Sequence, residues 1–184
     1  MSTATVTPSG IAPSLRRLYF ARFAFALVWA ASVAATVSAL SPLSVALLVL
    51  YPVFDVAAAV VDARSAKETK PFIGLYVNIA ISLLAGVGLA FAASSGIPGV
   101  LRVWGTWAIV SGLIQLAAGL VRRGLGGQWP MIISGAISTV AGASFIVQAA
   151  QPTASLATLA GYAALGGIFF LVSAIRLGRA TTKD

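Results

Sequence analysis

Long intervals without a single charged side chain are the feature that most constrains the fold of this chain. The intervals free of Asp, Glu, Lys and Arg lie between Arg22 and Asp55, Lys70 and Arg102, Arg102 and Arg122, and Arg123 and Arg176. A helix needs about 20 mainly apolar residues to cross the hydrocarbon core of a bilayer. Charged residues make up 9% of the chain, whereas soluble domains contain about 25%. The sequence therefore predicts an integral membrane protein.

The lengths of these intervals predict an all-α fold with six transmembrane helices. We place the helices near residues 18–40, 43–61, 72–93, 99–121, 131–149 and 154–175. The predicted membrane domain covers residues 18–179, built as hairpins at about 18–61, 71–121 and 129–176. Polar residues 1–17 are predicted to form a disordered cytoplasmic tail, and residues 180–184 a second short tail.

The positions of Lys and Arg predict the orientation of these helices. Eleven of the twelve basic residues fall before or just inside the first helix, after the last helix, or in the connections after helices two and four. Arg102 is the exception. Cytoplasmic loops carry an excess of Lys and Arg, so both termini are predicted to be cytoplasmic. This asymmetry explains the net charge of +8. The basic residues are expected to contact anionic lipid headgroups at that face, and nucleic acid is not an expected partner.

A short internal repeat points to the architecture. The sequence AISLLAG at 80–86 matches AISTVAG at 136–142, with an offset of 56 residues. Each unit would hold two helices, so the three copies are predicted to be parallel. Many transporters that work by alternating access use inverted repeats instead, which weakens a transporter interpretation without removing it.

Small and polar residues recur every four positions on three of the predicted helices. These stripes are Asn78, Ser82 and Gly86; Ser111, Gln115 and Gly119; and Ser134, Ser138 and Gly142. Such faces let helices approach closely in lipid, and helix packing is the favoured interpretation. A polar conduit is the alternative. The same faces are suited to contacts between copies, which leaves homo-oligomerisation open. The aromatic residues Tyr19, Trp104, Trp107 and Trp129 are predicted to anchor helix ends at the membrane interface.

Asp55 is the one acidic residue deep within a predicted span. An ionised carboxylate there costs about 2.5–3.5 kcal/mol on insertion scales, so it needs a partner, water or a proton. Arg22, near the inner end of the first helix, is the predicted partner, and Gln115 is predicted to lie at the same depth. Pro52 is predicted to kink the helix beside Asp55. Two roles stay open for Asp55: a structural ion pair with Arg22, or a titrating group.

The chain contains no Cys, no His and four acidic residues. This composition removes thiolate and imidazole chemistry and leaves almost no general acid–base inventory, so an enzyme is the least favoured class. No metal and no cofactor are expected.

These features together resemble the HdeD-like acid-resistance membrane proteins. The resemblance rests on the hairpin repeats, the small residues, the basic inner loops and a proline at each outer turn, namely Pro42, Pro98 and Pro152. It implies a multi-pass protein of the bacterial inner membrane, non-enzymatic, linked to acid or envelope stress tolerance, and it supplies no catalytic residues. The alternative is a small proton or solute transporter or channel that uses Asp55, with Asn78, Gln115 and Gln148 along the pathway.

Overall fold

The computed structural model describes residues 11–36, 39–65, 73–121 and 129–180. These residues form six α-helices and one short 3-10 turn, Ala93–Ser95, and contain no strand. The helices are α1 Ile11–Ala34, α2 Pro42–Ser65, α3 Ile73–Ala92, α4 Gly96–Val121, α5 Trp129–Gln148 and α6 Ala157–Ala180. The predicted all-α class is confirmed.

The two terminal helices extend beyond their predicted bounds. Helix α1 begins at Ile11, so residues 11–17 are helical and the prediction that they are disordered is wrong. The guanidinium of Arg16 lies 5.5 Å from the ring centroid of Phe20, one turn on, and its atoms lie against Gly178 of α6. Helix α6 continues to Ala180, past the predicted end at 175. Mutual packing thus extends both helices, whereas residues 1–10 and 181–184 lie outside the described residues.

The start of α2 is set by local hydrogen bonds. Ser41 stands at the N-cap position, and its hydroxyl accepts a hydrogen bond from the backbone N–H of Ser44 at 3.2 Å. The hydroxyl of Ser44 in turn accepts one from the N–H of Ser41 at 2.8 Å. Pro42 occupies the first helical position, where its missing N–H removes no helical hydrogen bond. This reciprocal cap explains why a serine–proline pair begins the helix.

The six helices pack in chain order around a ring, and α6 returns to α1. Neighbours run antiparallel, as the contacts of Gly105 with Gly142 and of Gly112 with Gly135 show for α4 and α5. A Cβ atom at Gly112 would lie 2.7 Å from the carbonyl oxygen of Gly135. The two backbones therefore touch, as small residues allow in lipid. The closest pairs are α4 with α5, α1 with α6 and α2 with α3, while α5 and α6 meet least.

The two ends of the ring differ in their packing. We call the end at which α1 begins and α6 ends the termini end, and the end at residues 35–36, 39–41, 93–95 and 149–156 the turn end. The half near the turn end is a solid core in which Trp29, Trp104, Leu48, Leu101 and Leu159 are at most 2% exposed. Trp104 is therefore a core residue, and its predicted place at the membrane interface is wrong. Trp129, by contrast, is 69% exposed.

The outer surface of the ring is apolar and suited to a membrane. Four helical segments of the described chain are long and apolar enough to cross one: Arg16–Ala34, Pro42–Val61, Ile73–Ala118 and Ala157–Arg176. The third holds both α3 and α4, which fold back on each other where Gly96 adopts a φ of 75°. A shorter apolar helix covers Ile132–Gln148. Side chains such as Phe91, Leu84 and Val140 are more than 70% exposed, as expected for contact with lipid.

Candidate functional site

The carboxylate of Asp55 is the centre of a hydrogen-bonded network that joins four helices. Arg22 of α1 donates from Nη1 to Oδ1 at 3.2 Å. On α3, Asn78 donates from Nδ2 to Oδ2 at 2.8 Å, and Ser82 donates from Oγ to the same oxygen at 2.9 Å. Trp107 of α4 donates its indole N–H to the Ser82 hydroxyl at 3.1 Å. The structure therefore brings together Arg22, Asp55 and Asn78, all three of which are candidates from the sequence.

Sequence spacing explains how α3 supplies two of these donors. Asn78 and Ser82 are four residues apart and so lie on the same face of a helix. Gly86 continues this stripe, and a Cβ atom there would lie 3.8 Å from Cγ of Pro52. Pro52 is buried in α2, three residues before Asp55, and α2 is continuous through it from Pro42 to Ser65. The stripe predicted to serve packing thus packs at Gly86 and binds the carboxylate at its other two positions.

Every group that contacts the Asp55 oxygens is a hydrogen-bond donor. The guanidinium, the amide NH₂ and the hydroxyl together occupy both oxygens. Both carboxylate oxygens thus have hydrogen-bond partners on neighbouring helices. The side chains of Arg22 and Asp55 are 16% and 18% exposed, and their charges cancel. Mutual neutralisation makes the two charges tolerable inside an apolar bundle.

Arg22 is held from a second side by an aromatic ring. Its Cζ atom lies 5.0 Å from the ring centroid of Phe170 on α6, a distance at which a cation is attracted by the ring face. Tyr19 packs against the same ring, with centroids 6.0 Å apart. The Nε atom of Arg22 is buried and has no hydrogen-bond partner among the described residues. Arg22 therefore contacts Asp55 through one edge and presents an unused donor.

The network lies on the wall of a cavity of about 430 Å³. The cavity occupies the half of the ring near the termini end and reaches Gly74 and Pro130, at the starts of α3 and α5. All six helices contribute polar side chains to it: Tyr19, Arg22, Tyr51, Asp55, Asn78, Trp107, Ser111, Gln115, Ser134, Ser138, Tyr162 and Ser173. Its volume falls within the range of small-molecule sites, about 300–1,000 Å³.

The wall opposite Asp55 carries a second set of polar groups. Tyr162 of α6 donates to the hydroxyl of Ser138 on α5 at 2.9 Å. The Ser111 hydroxyl on α4 is buried and has no partner among the described residues. Gln115 lines the same cavity but makes no hydrogen bond with Asp55. The two residues share this cavity, and the predicted equal depth of Gln115 and Asp55 stays a prediction.

Aromatic residues close the cavity toward the turn end. Tyr51 lies against both Trp104 and Trp107, with ring centroids 5.5 and 6.1 Å away. Trp29 stacks on Trp104 at 5.2 Å and donates its indole N–H to the Leu47 carbonyl at 2.6 Å. Trp107, predicted at the membrane interface, instead belongs to this closed wall. The cavity is therefore closed at the end that faces the turn end.

Several residues of the site were not predicted from the sequence, and one predicted residue lies outside the cavity. Ser82 was predicted to pack and instead binds Asp55, a role that its spacing from Asn78 could have indicated. Tyr51, Tyr162 and Phe170 carry no motif that would single them out. Gln148, a predicted pathway residue, lies at the turn end, where its amide oxygen accepts a hydrogen bond from Thr158 at 2.8 Å.

The described residues hold no group of three or more His, Cys, Asp or Glu side chains that could bind a metal ion. Comparison with family models, with curated proteins and with solved structures found no match for this chain.

Proposed function

We propose that the chain crosses a bacterial inner membrane six times, with both termini in the cytoplasm. The antiparallel packing of all six helices supports this proposal, because neighbouring helices that run antiparallel begin and end at alternate faces of a membrane. Helix α5, with 20 residues, is also long enough to span it. The basic residues Arg16, Arg17, Arg64 and Arg176 all fall near the termini end, in accord with the positive-inside rule.

The three hairpins are, in this proposal, copies of one unit. Positions that line the cavity recur at the 56-residue offset of the sequence repeat. They form two triplets, Leu18, Gly74 and Pro130, and Arg22, Asn78 and Ser134. The closest helix pairs, α2 with α3, α4 with α5 and α6 with α1, each join one hairpin to the next. Such a pattern is expected when three similar hairpins surround one central space.

The proposed activity is non-enzymatic binding of a small polar solute in the cavity, entered from the cytoplasmic end. The observation that carries it is a cavity lined by polar groups from all six helices and closed by aromatic residues toward the turn end. The lining is largely apolar, its polar groups are mainly hydroxyl, amide and indole groups, and the two charged residues neutralise each other. Such a lining favours neutral or zwitterionic solutes over ions of one sign.

Two glycines on α6 allow a direct test of this proposal. Gly166 lines the cavity and Gly161 does not, and a Cβ atom at either position would meet nothing within 4 Å. We expect a panel of amino acids, sugars and polyols to contain a solute that raises the melting temperature of the purified protein in detergent. Gly166→Phe should abolish this shift, because the ring fills the cavity, and Gly161→Phe should preserve it. A panel without effect on the wild type would contradict the proposal.

The biological role proposed for this binding is tolerance of acid or envelope stress, as the HdeD-like resemblance implies. Cells that express the wild-type chain should then survive acid exposure better than cells that express Gly166→Phe at the same level. Equal survival of the two strains would show that the cavity does not serve stress tolerance.

A small solute transporter is the second candidate, since a solute-binding cavity within a membrane bundle is what transport requires. Uptake of the stabilising solute into proteoliposomes would favour transport, and binding without uptake would exclude it. The proton-carrier version, in which Asp55 titrates, receives less support because three donors already occupy the carboxylate.

A further inference from the structure

A second space, a groove of about 360 Å³, lies on the outside of the bundle between α3 and α4. Its walls are apolar and include Leu84 of α3 with Val103 and Val110 of α4. Leu84 is 71% exposed and Val110 is 37% exposed, so the groove faces the surroundings of the protein. Trp107 lines both this groove and the central cavity. The other residues that line the groove do not line the central cavity, so the groove is a site separate from the proposed solute site.

The mainly apolar groove contains one cationic side chain. Arg102 lines it near the turn end and is exposed. It lies six residues after the start of α4, about 9 Å along the helix at 1.5 Å per residue. A long arginine side chain at that depth reaches the headgroup region while its stem stays on apolar surface.

Among the side chains that the structure describes, no acidic group pairs with Arg102. The four acidic residues are Asp55, Asp62, Glu68 and Asp184. Asp55 is paired with Arg22 in the other half of the bundle, and Asp62 follows it on α2 toward the termini end. The residues of the turn end, 35–36, 39–41, 93–95 and 149–156, contain no Asp or Glu. The described part of the turn end therefore supplies no anion to neutralise Arg102, and the groove is open to one from the surroundings.

We propose that the groove binds one anionic phospholipid of the surrounding bilayer, with its phosphate on Arg102 and an acyl chain along α3 and α4. Guanidinium groups bind phosphate oxygens through paired N–H donors, and the apolar walls suit a hydrocarbon chain. From Arg102 to Val110 the groove extends eight residues along α4, or about 12 Å. Charge at one end and hydrocarbon along the rest match the two parts of a phospholipid.

The absence of cysteine from the sequence allows a site-specific test. Thr106 is exposed and lines the groove one turn after Arg102, whereas Val140 on α5 is 71% exposed and lines neither space. A benzophenone attached to Thr106→Cys or to Val140→Cys would be photo-crosslinked in vesicles of equal phosphatidylglycerol and phosphatidylcholine. Mass spectrometry of the adducts then gives the lipid ratio at each position.

We expect Thr106→Cys to favour phosphatidylglycerol about fivefold, as one basic residue near a headgroup predicts. Val140→Cys should show a ratio near one. Adding Arg102→Gln to Thr106→Cys should bring its ratio to about one, and adding Arg102→Lys should keep most of the preference. An equal ratio at Thr106→Cys, or a preference that survives Arg102→Gln, would overturn the proposal.

Discussion

The indole N–H of Trp107 donates to the hydroxyl of Ser82, which itself donates to the carboxylate of Asp55. One serine hydroxyl thus connects α4 through α3 to α2, and Arg22 extends the connection to α1. Ser82 is fully buried, so water does not compete for these bonds. The relationship turns an isolated charge pair into a network that holds one side of the cavity wall.

We expect the Arg22–Asp55 ion pair to stabilise the protein, because each side chain neutralises the other inside the bundle. Asp55→Asn leaves the Arg22 guanidinium without a counter-charge inside the bundle and should destabilise the protein by about 3 kcal/mol. The loss of stability is measured by thermal unfolding in detergent, with tryptophan fluorescence as the signal. The double variant with Arg22→Gln removes both charges and should recover most of it. A double variant as unstable as Asp55→Asn would show that the pair does more than neutralise charge.

Loss of the bridging hydroxyl should also be measurable. Ser82→Ala leaves the N–H of the half-buried Trp107 without its acceptor and removes one donor from Asp55, which should lower stability by about 1–3 kcal/mol. Ser94→Ala is the matched control, because the Ser94 hydroxyl is exposed and bonds only to the Phe91 carbonyl at 2.7 Å. Equal melting temperatures for the two variants would contradict the bridging role.

Backbone contact between α4 and α5 predicts a strong response to a single methyl group. Gly112→Ala would place Cβ 2.7 Å from a carbonyl oxygen and 2.8 Å from the backbone nitrogen of Thr139, so the two helices must separate. We expect a loss of about 1–3 kcal/mol, typical of overpacking. Gly161→Ala, with open space around its Cβ, should be neutral in the same unfolding measurement. Similar stability of the two variants would argue against close contact.

The proposed topology predicts which positions react with a membrane-impermeant maleimide. Ser94→Cys and Thr153→Cys lie at the turn end, are exposed, and should be labelled in intact cells. Arg176→Cys near the termini end is exposed in the bundle and should be labelled only after the membrane is opened. Labelling of all three positions only after lysis, or the reverse pattern, would contradict cytoplasmic termini.

Sequence alone determined the helical class, the approximate helix positions and the pairing of Arg22 with Asp55. Each follows from the free energy of placing polar groups in hydrocarbon, which requires long apolar helices and leaves a buried carboxylate few partners within reach. Asn78 was identified as a polar position on a stripe of small residues, because polar groups are rare in apolar helices. These conclusions needed no knowledge of how the helices are arranged.

Only the tertiary structure decided which side of each helix faces inward. Trp104 and Trp107 were expected at the membrane interface and lie in the core and the cavity wall, and Ser82 became a carboxylate ligand. The physical reason is that lipid-facing and core-facing surfaces are both apolar in a membrane bundle, so hydrophobic periodicity carries little information about orientation. Helix packing, through contacts such as Gly112 with Gly135, is what turns polar groups from six separate helices toward one cavity.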